Sequence, residues 1–182
     1  MGNVILIGYM CAGKTTVGKS LAKQMGCTFY DLDWYIEERF RKHISEIFEE
    51  KGEDGFREIE RNMLHEVAEF ENIILACGGG TPCFFDNIEY MNKTGKTVFL
   101  DASPDTIIAH LKISRTIRPL LQDKTGDELK SYIIKQLEMR RPFYQKAQYT
   151  FNVDILDNFD KVNNLVTHIR EQLNTDDDKM EN

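Results

Sequence analysis

The sequence predicts an α/β domain, a three-layer α/β/α sandwich around a five-stranded parallel sheet. Three observations carry this. Five short apolar runs rich in β-branched residues alternate with segments of helical periodicity, the order that builds parallel βαβ units with right-handed crossovers. A glycine-rich turn over residues 8–13 separates the first apolar run from the first helical segment. The length, 182 residues, suits one domain able to bury its own core.

The elements follow in order. Residues 3–7 are apolar, end at Gly8 and read as a buried strand. Over residues 14–25, Val17, Leu21, Ala22 and Met25 share one helical face, and Gly26 supplies the stop. Residues 28–30 form a second strand ending at Asp31. Stretches 34–42 and 45–51 read as helices. Gly52 then stands before an amphipathic helix over 53–70, where Phe56, Ile59, Met63, Leu64 and Val67 recur every three or four positions. Residues 72–77 form a third strand, followed by Gly78, Gly79 and Gly80, and residues 97–101 form a fourth. Ser103 and Pro104 make an N-cap with proline at the first helical position, opening a helix to about Ile113. Residues 114–126 hold basic residues, a proline and a glycine, and read as a loop able to move as a flap. The stretch 128–141 is helical and stops before Pro142. Residues 149–153 are the fifth strand and 159–173 the last helix. The domain is assigned to residues 1–173. The end, 174–182, carries four acids and one lysine and reads as a frayed tail.

Composition narrows the function classes. An apolar fraction of 41% with 29% charged residues excludes collagen-like, low-complexity and disordered chains. No apolar run reaches the length of a membrane span, and no basic leader opens the chain, so neither membrane insertion nor a secretory signal is expected. With 23 basic residues against 30 acidic ones the net charge is −7, which argues against nucleic acid or an anionic membrane as partner. A local arginine cluster can still bind a small anion. Cys11, Cys27, Cys77 and Cys83 lack any metal-binding spacing and read as reduced thiols of a cytoplasmic protein. His43, His65, His110 and His168 also lack metal spacing and read as surface residues.

Residues 8–15, Gly-Tyr-Met-Cys-Ala-Gly-Lys-Thr, fit G-x-x-x-x-G-K-[ST] in full. A strand precedes the motif and a helix follows it, the context of a phosphate-binding P-loop. The glycines let successive backbone N–H groups of Gly8, Met10, Cys11, Ala12, Gly13, Lys14, Thr15 and Thr16 turn around phosphate oxygens, and the helix N-terminus adds partial positive charge. Lys14 is the residue to reach the β- and γ-phosphates of ATP, and the Thr15 hydroxyl the one to take a place on Mg²⁺. A glycine-rich turn with a surface lysine is the competing reading; strand, glycines and helix in one register disfavour it.

Asp31 and Asp33 lie at the end of the second strand, where open α/β sheets bind ligands. At i and i+2 on a strand both carboxylates point to one side. One can organise the metal and its waters, and the other can accept a proton from an attacking hydroxyl. A solvated loop or a helix N-cap is the alternative for each. Arg57, Arg118 and Arg140 are suited to forked contacts with carboxylate or phosphate, though by residue type alone each reads more readily as a surface residue.

Seven ordered blocks now identify a resemblance. They are the P-loop; Asp31-Leu32-Asp33; Ile44-Ser45-Glu46-Ile47-Phe48; Gly55-Phe56-Arg57-Glu58-Ile59-Glu60; Gly78-Gly79-Gly80; Arg118-Pro119-Leu120-Leu121; and Arg140-Arg141-Pro142-Phe143-Tyr144. In this order the chain resembles the shikimate kinases, small P-loop kinases of the nucleoside-monophosphate-kinase type. The resemblance implies transfer of the γ-phosphoryl group of ATP to the 3-hydroxyl of shikimate, on the route to chorismate and the aromatic amino acids. It implies Asp33 as base and acceptor contact, and Asp31 near the Mg²⁺ waters. Arg57 and Arg140 would hold the shikimate carboxylate, Gly79 and Gly80 would lie against its ring, and Arg118 would close over the phosphates from a lid at about 114–126. The acceptor region would span about 31–61, with Phe48 and Phe56 walling the pocket. The expected partners are ATP and shikimate, and the expected state is a cytoplasmic monomer.

The sequence departs from the family pattern in places. Cys77 stands where many relatives have threonine or serine. The segment 153–159 lacks an arginine for the adenine side, leaving Arg115 or His110 to stack on the base. A gluconate- or nucleotide-kinase-like enzyme is the nearest alternative, and a catalytically silent binding relative is another; Lys14, Thr15, Asp31 and Asp33 together disfavour the silent one.

Overall fold

The computed structural model describes residues 2–113 and 125–180, with side chains as far as residue 175. Strand β1 (Asn3–Ile7) is the centre of the sheet, with Val4 to Ile7 buried. It pairs in parallel with β3 (Ile73–Ala76) on one side, Val4 opposite Ile74. On the other side it pairs with β4 (Gly95–Ala102), Asn3 opposite Gly95. Strand β2 (Thr28–Asp31) adds outside β3, and β5 (Tyr149–Val153) outside β4. The order is β2-β3-β1-β4-β5, with every pairing parallel, as expected for strands that read as unbroken apolar runs.

Helices flank this sheet. Helix α1 (Lys14–Met25) matches its periodicity residue for residue and packs against α7 (Phe159–Met180). Helix α2 (Leu32–Phe40) packs on α3 (Ile44–Ala68). Helix α4 (Asn87–Thr94) follows a single 3₁₀ turn at Thr81–Cys83 and lies on β4. Helices α5 (Pro104–Ile113) and α6 (Gly126–Tyr144) contact each other. Ser103 caps α5 as expected, its Oγ accepting the Thr106 N–H at 3.1 Å. Gly52 kinks α3, with φ 69° and ψ −177° inside an otherwise continuous helix.

Several boundaries differ from the sequence reading, each for a local reason. Helix α2 begins at Leu32 rather than 34, because the Asp31 side chain accepts the Asp33 N–H at 3.2 Å and starts the helix there. Strand β4 is longer at both ends, since Gly95 and Lys96 find partners in Asn3 and Val4. Helix α6 starts at Gly126 and runs through Pro142. The missing N–H falls in the last turn, where Gln145 N–H already bonds the Arg141 carbonyl and the fully buried Tyr144 anchors the end. Helix α4 went unread because only Ile88 and Met91 of its apolar residues are buried, too few to mark a period. Helix α7 continues to Met180, past the expected end at 173, although Leu173 is the last buried residue among its described side chains. Residues 114–124 of the expected lid, with Arg115 and Arg118, lie outside the described residues.

This architecture brings three chain segments to one sheet edge. The turn after β1, the glycines after β3 and the start of α2 after β2 all leave the C-terminal ends of neighbouring strands. Among the described residues no helix is long and apolar enough to cross a membrane.

The fit of α1 on the sheet gives a test. Its buried face includes Gly18, where an added Cβ would stand 2.5 Å from Phe29 Cε2 and 3.1 Å from Leu6 Cδ1. Gly18→Ala gains helix propensity, yet overpacking outweighs it, with an expected loss of about 1–3 kcal/mol. Urea unfolding should show a lower midpoint with unchanged slope; a midpoint at or above wild type would contradict the packing.

Candidate active site

The P-loop forms as the motif requires. Gly13 caps α1 in the left-handed region (φ 93°), which a side chain rarely adopts. Ala12 N–H closes the turn on the Tyr9 carbonyl at 3.1 Å. The Lys14 ammonium donates to the Gly8 and Tyr9 carbonyls at 2.8 and 2.9 Å, so the amine lies within the loop.

Thr15 and Asp31, the expected metal pair, come together: Thr15 Oγ1 donates to Asp31 Oδ2 at 2.9 Å. Asp31 is thus the N-cap of α2 and at the same time the partner of Thr15. Asp33 reaches the site by a different route from the one expected. It sits in the first turn of α2 rather than on the strand, so the alternation of strand side chains does not aim it. The helix start turns it back onto the triple glycine, where a Cβ at Gly78 would stand 3.0 Å from Asp33 Oδ1.

The glycines after β3 are where the predicted groups meet. A Cβ at Gly79 would lie 3.1 Å from Met10 N and 3.4 Å from Arg140 Nη1. One at Gly80 would lie 2.8 Å from Arg57 Nη2. The backbone is thus bare of side chains where it faces the P-loop and both guanidinium groups. Arg140 also stacks over the Tyr9 ring, 5.3 Å to the centroid. Tyr144 donates its hydroxyl to the Gly79 carbonyl at 2.6 Å and fastens α6 to the same loop.

Arg57 is the most constrained of these groups. Its side chain is only 12% exposed and pairs with Glu60, at 2%, through Nη1···Oε2 at 2.8 Å. Glu60 in turn accepts the Thr81 hydroxyl at 2.7 Å. The Arg57 guanidinium lies over Phe84 at 4.1 Å and Phe56 at 5.2 Å, and Phe48 stacks on Phe56. Arg57 Nε is buried with no partner among the described residues.

Glu60, Thr81, Phe84 and Tyr144 complete this cluster, and residue type alone assigns none of them a role. Only the Arg57–Glu60 spacing of three, one helical turn, carried a signal. Cys77 follows β3 directly and is buried. Burial first, then the Glu60 carboxylate, pushes its thiol well above the ordinary range, with Lys14 opposing and Asp33 and Asp31 adding to the rise. Burial raises Cys83 to about 11 against the pull of Arg140 and Arg57. All four cysteines are free thiols, as expected. His110, by contrast, is buried rather than on the surface. Both its ring nitrogens are engaged by the protein.

Comparison with known proteins agrees with this geometry. The model of the shikimate kinase family matches residues 10–174. A shikimate kinase of Bacteroides thetaiotaomicron is 55% identical over 95% of this chain and 99% of its own length. One of Phocaeicola vulgatus is 52% identical over 96% and 99%. The crystal structure of the Bacteroides thetaiotaomicron enzyme superposes with a TM-score of 0.92 at 54% identity, covering 95% of this chain and 98% of that one. Shikimate kinase from Acinetobacter baumannii, solved in complex with shikimate, superposes at 0.82 with 32% identity, covering 97% and 94%. A gluconokinase from Sinorhizobium meliloti, at 17% identity and a TM-score of 0.58, shares the fold alone. With a family match over most of its length and relatives this similar, the chain belongs to the shikimate kinase family.

Proposed function

We propose that the chain transfers the γ-phosphoryl group of ATP to the 3-hydroxyl of shikimate, giving shikimate 3-phosphate and ADP. The observation that carries this is the convergence of Arg57, Arg140 and Asp33 on Gly78–Gly80 beside the P-loop. Two guanidinium groups suit the carboxylate of a small acid, and one carboxylate suits its hydroxyls. Neither gluconate-like nor nucleotide acceptors need that pairing so directly, although a gluconate carboxylate shares part of it.

In this reading Gly8, Met10, Cys11, Ala12, Gly13, Lys14, Thr15 and Thr16 hold the triphosphate, and Arg57 and Arg140 grip the acceptor carboxylate. Gly79 and Gly80 let the ring approach the backbone. Asp33 orients the acceptor hydroxyl and takes its proton as the bond to phosphorus forms. Lys14 offsets the charge that spreads over the transferring oxygens. Arg118 adds to this by resemblance. The oxygen donors of Thr15 and, through water, Asp31 suit Mg²⁺, which keeps much of its water and binds mainly through phosphates rather than a protein cage. When bound, that ion neutralises phosphate charge. The setting proposed is a cytoplasmic monomer, in keeping with four free thiols.

ADP release measured with shikimate, gluconate and a nucleoside monophosphate tests the assignment. Turnover is expected with shikimate, and chelation of Mg²⁺ should abolish it; faster turnover with either other acceptor overturns the reading. Asp33→Asn should lower kcat by about 100-fold or more while ADP still binds. Near-normal turnover would remove Asp33 from the base role. Arg57→Ala should act chiefly on the KM for shikimate, by about tenfold or more; an unchanged KM would displace it from the carboxylate.

A further inference from the structure

His110 lies in the last turn of α5, where only 9% of the residue is exposed, and its ring spans two loops at the nucleotide end of the sheet. Nδ1 is 2.7 Å from the Cys11 carbonyl of the P-loop. Nε2 accepts the Leu156 N–H, also at 2.7 Å, from the segment between β5 and α7. A carbonyl can only accept and an N–H can only donate. The ring is therefore held with its proton on Nδ1 and a bare lone pair on Nε2.

The peptide it holds matters. Cys11 is in the left-handed region, φ 60°, which an L side chain adopts at a cost. The Cys11–Ala12 peptide is clamped at both ends: its carbonyl by His110 and its N–H by the Tyr9 carbonyl at 3.1 Å. In a planar trans peptide these two groups point in opposite directions. Release of the carbonyl would leave the plane held only through its N–H and free to turn, and the neighbouring amides of the loop would turn with it. The second contact works on the same loop. Leu156 is packed onto the P-loop so tightly that a Cβ at Gly13 would meet its Cδ1 at 2.7 Å. The loops after β1 and β5 are thus joined to α5 through one imidazole.

We infer that His110 is a positioning residue for the nucleotide: through its Nδ1–H and Nε2 it sets the Cys11–Ala12 peptide and seats Leu156 against Gly13, and so shapes the P-loop for ATP without touching it. The inference rests on the P-loop reading above, and wild-type activity on shikimate, measured first, separates a failure of that reading from a failure of this one. His110→Ala should raise the KM for ATP and the Kd for ADP about tenfold, the scale of one or two lost buried hydrogen bonds. The KM for shikimate and kcat at saturating ATP should stay within about threefold. His110→Gln, whose amide carries one donor and one acceptor, should recover most of the loss. An unchanged KM for ATP, an equal rise in both KM values, or a Gln variant as weak as the Ala variant overturns the inference. Long-range ¹H–¹⁵N spectra of the wild-type protein at pH 7.5 need no variant: Nδ1 is expected protonated and Nε2 bare, and the opposite tautomer overturns it as well.

Discussion

The close approach of the Arg57 guanidinium to the backbone of Gly80 is the contact on which the rest of the site depends. A charge this buried is tolerated only when paired and hydrogen-bonded. Glu60 supplies the countercharge, Thr81 satisfies the second oxygen of Glu60, and Phe84 covers the guanidinium plane. Each of these comes from a different piece of chain: α3, the 3₁₀ turn and the residue after it. The buried pair therefore fixes α3 against the loop after β3. Removing either partner would strand the other charge, which costs more than the pair itself contributes. A Cβ at Gly80 would stand 2.8 Å from Nη2 and 2.9 Å from Nη1, so the guanidinium would have to shift against its partner Glu60.

The same loop meets the P-loop and α6 from its other side. Gly79 lies against Met10 N and Arg140, and its carbonyl takes the Tyr144 hydroxyl. Arg141, next in sequence, forks onto Asp101 at the end of β4 with contacts of 2.9 and 3.0 Å. One arginine of the pair thus ties α6 to the sheet, and its neighbour is free to face the loop. Rigid elements thereby hold groups that loops alone would hold loosely, which is what transfer between two bound reactants requires.

Much of this was legible in the sequence, and the limits have physical reasons. Strand β1, helix α1 and strand β5 fell at their observed bounds because apolar runs and a glycine stop mark them unambiguously. The P-loop was legible because its residue types and its strand–helix context are both required by one geometry. Asp33 was found for an incomplete reason. Strand alternation does not aim it; the N-cap made by Asp31 does, and capping competes with strand pairing in a way that residue order alone does not resolve. Glu60 was opaque because a lone acid on a helix ordinarily faces water; its burial follows from tertiary packing of α3. His110 was misread as a surface residue for the same reason: its two partners are 99 and 46 positions away.

Charge arithmetic links the site to what it is proposed to bind. Lys14, Arg57 and Arg140 carry three positive charges, and Asp31, Asp33 and Glu60 carry three negative ones, so these groups sum to zero. Cys77 stays out of the sum, because burial and three carboxylates keep its thiol protonated. A triphosphate and a carboxylic acid would bring several further negative charges into a partly desolvated space, where like charges repel strongly. Within this set Arg140, whose guanidinium donates to the neutral amide oxygen of Gln136, and the backbone amides of the P-loop are left to meet them. The deficit accounts for why the proposed chemistry enlists a divalent cation at Thr15 and a further arginine at position 118: the protein's own fixed charges arrange the reactants but do not by themselves neutralise them.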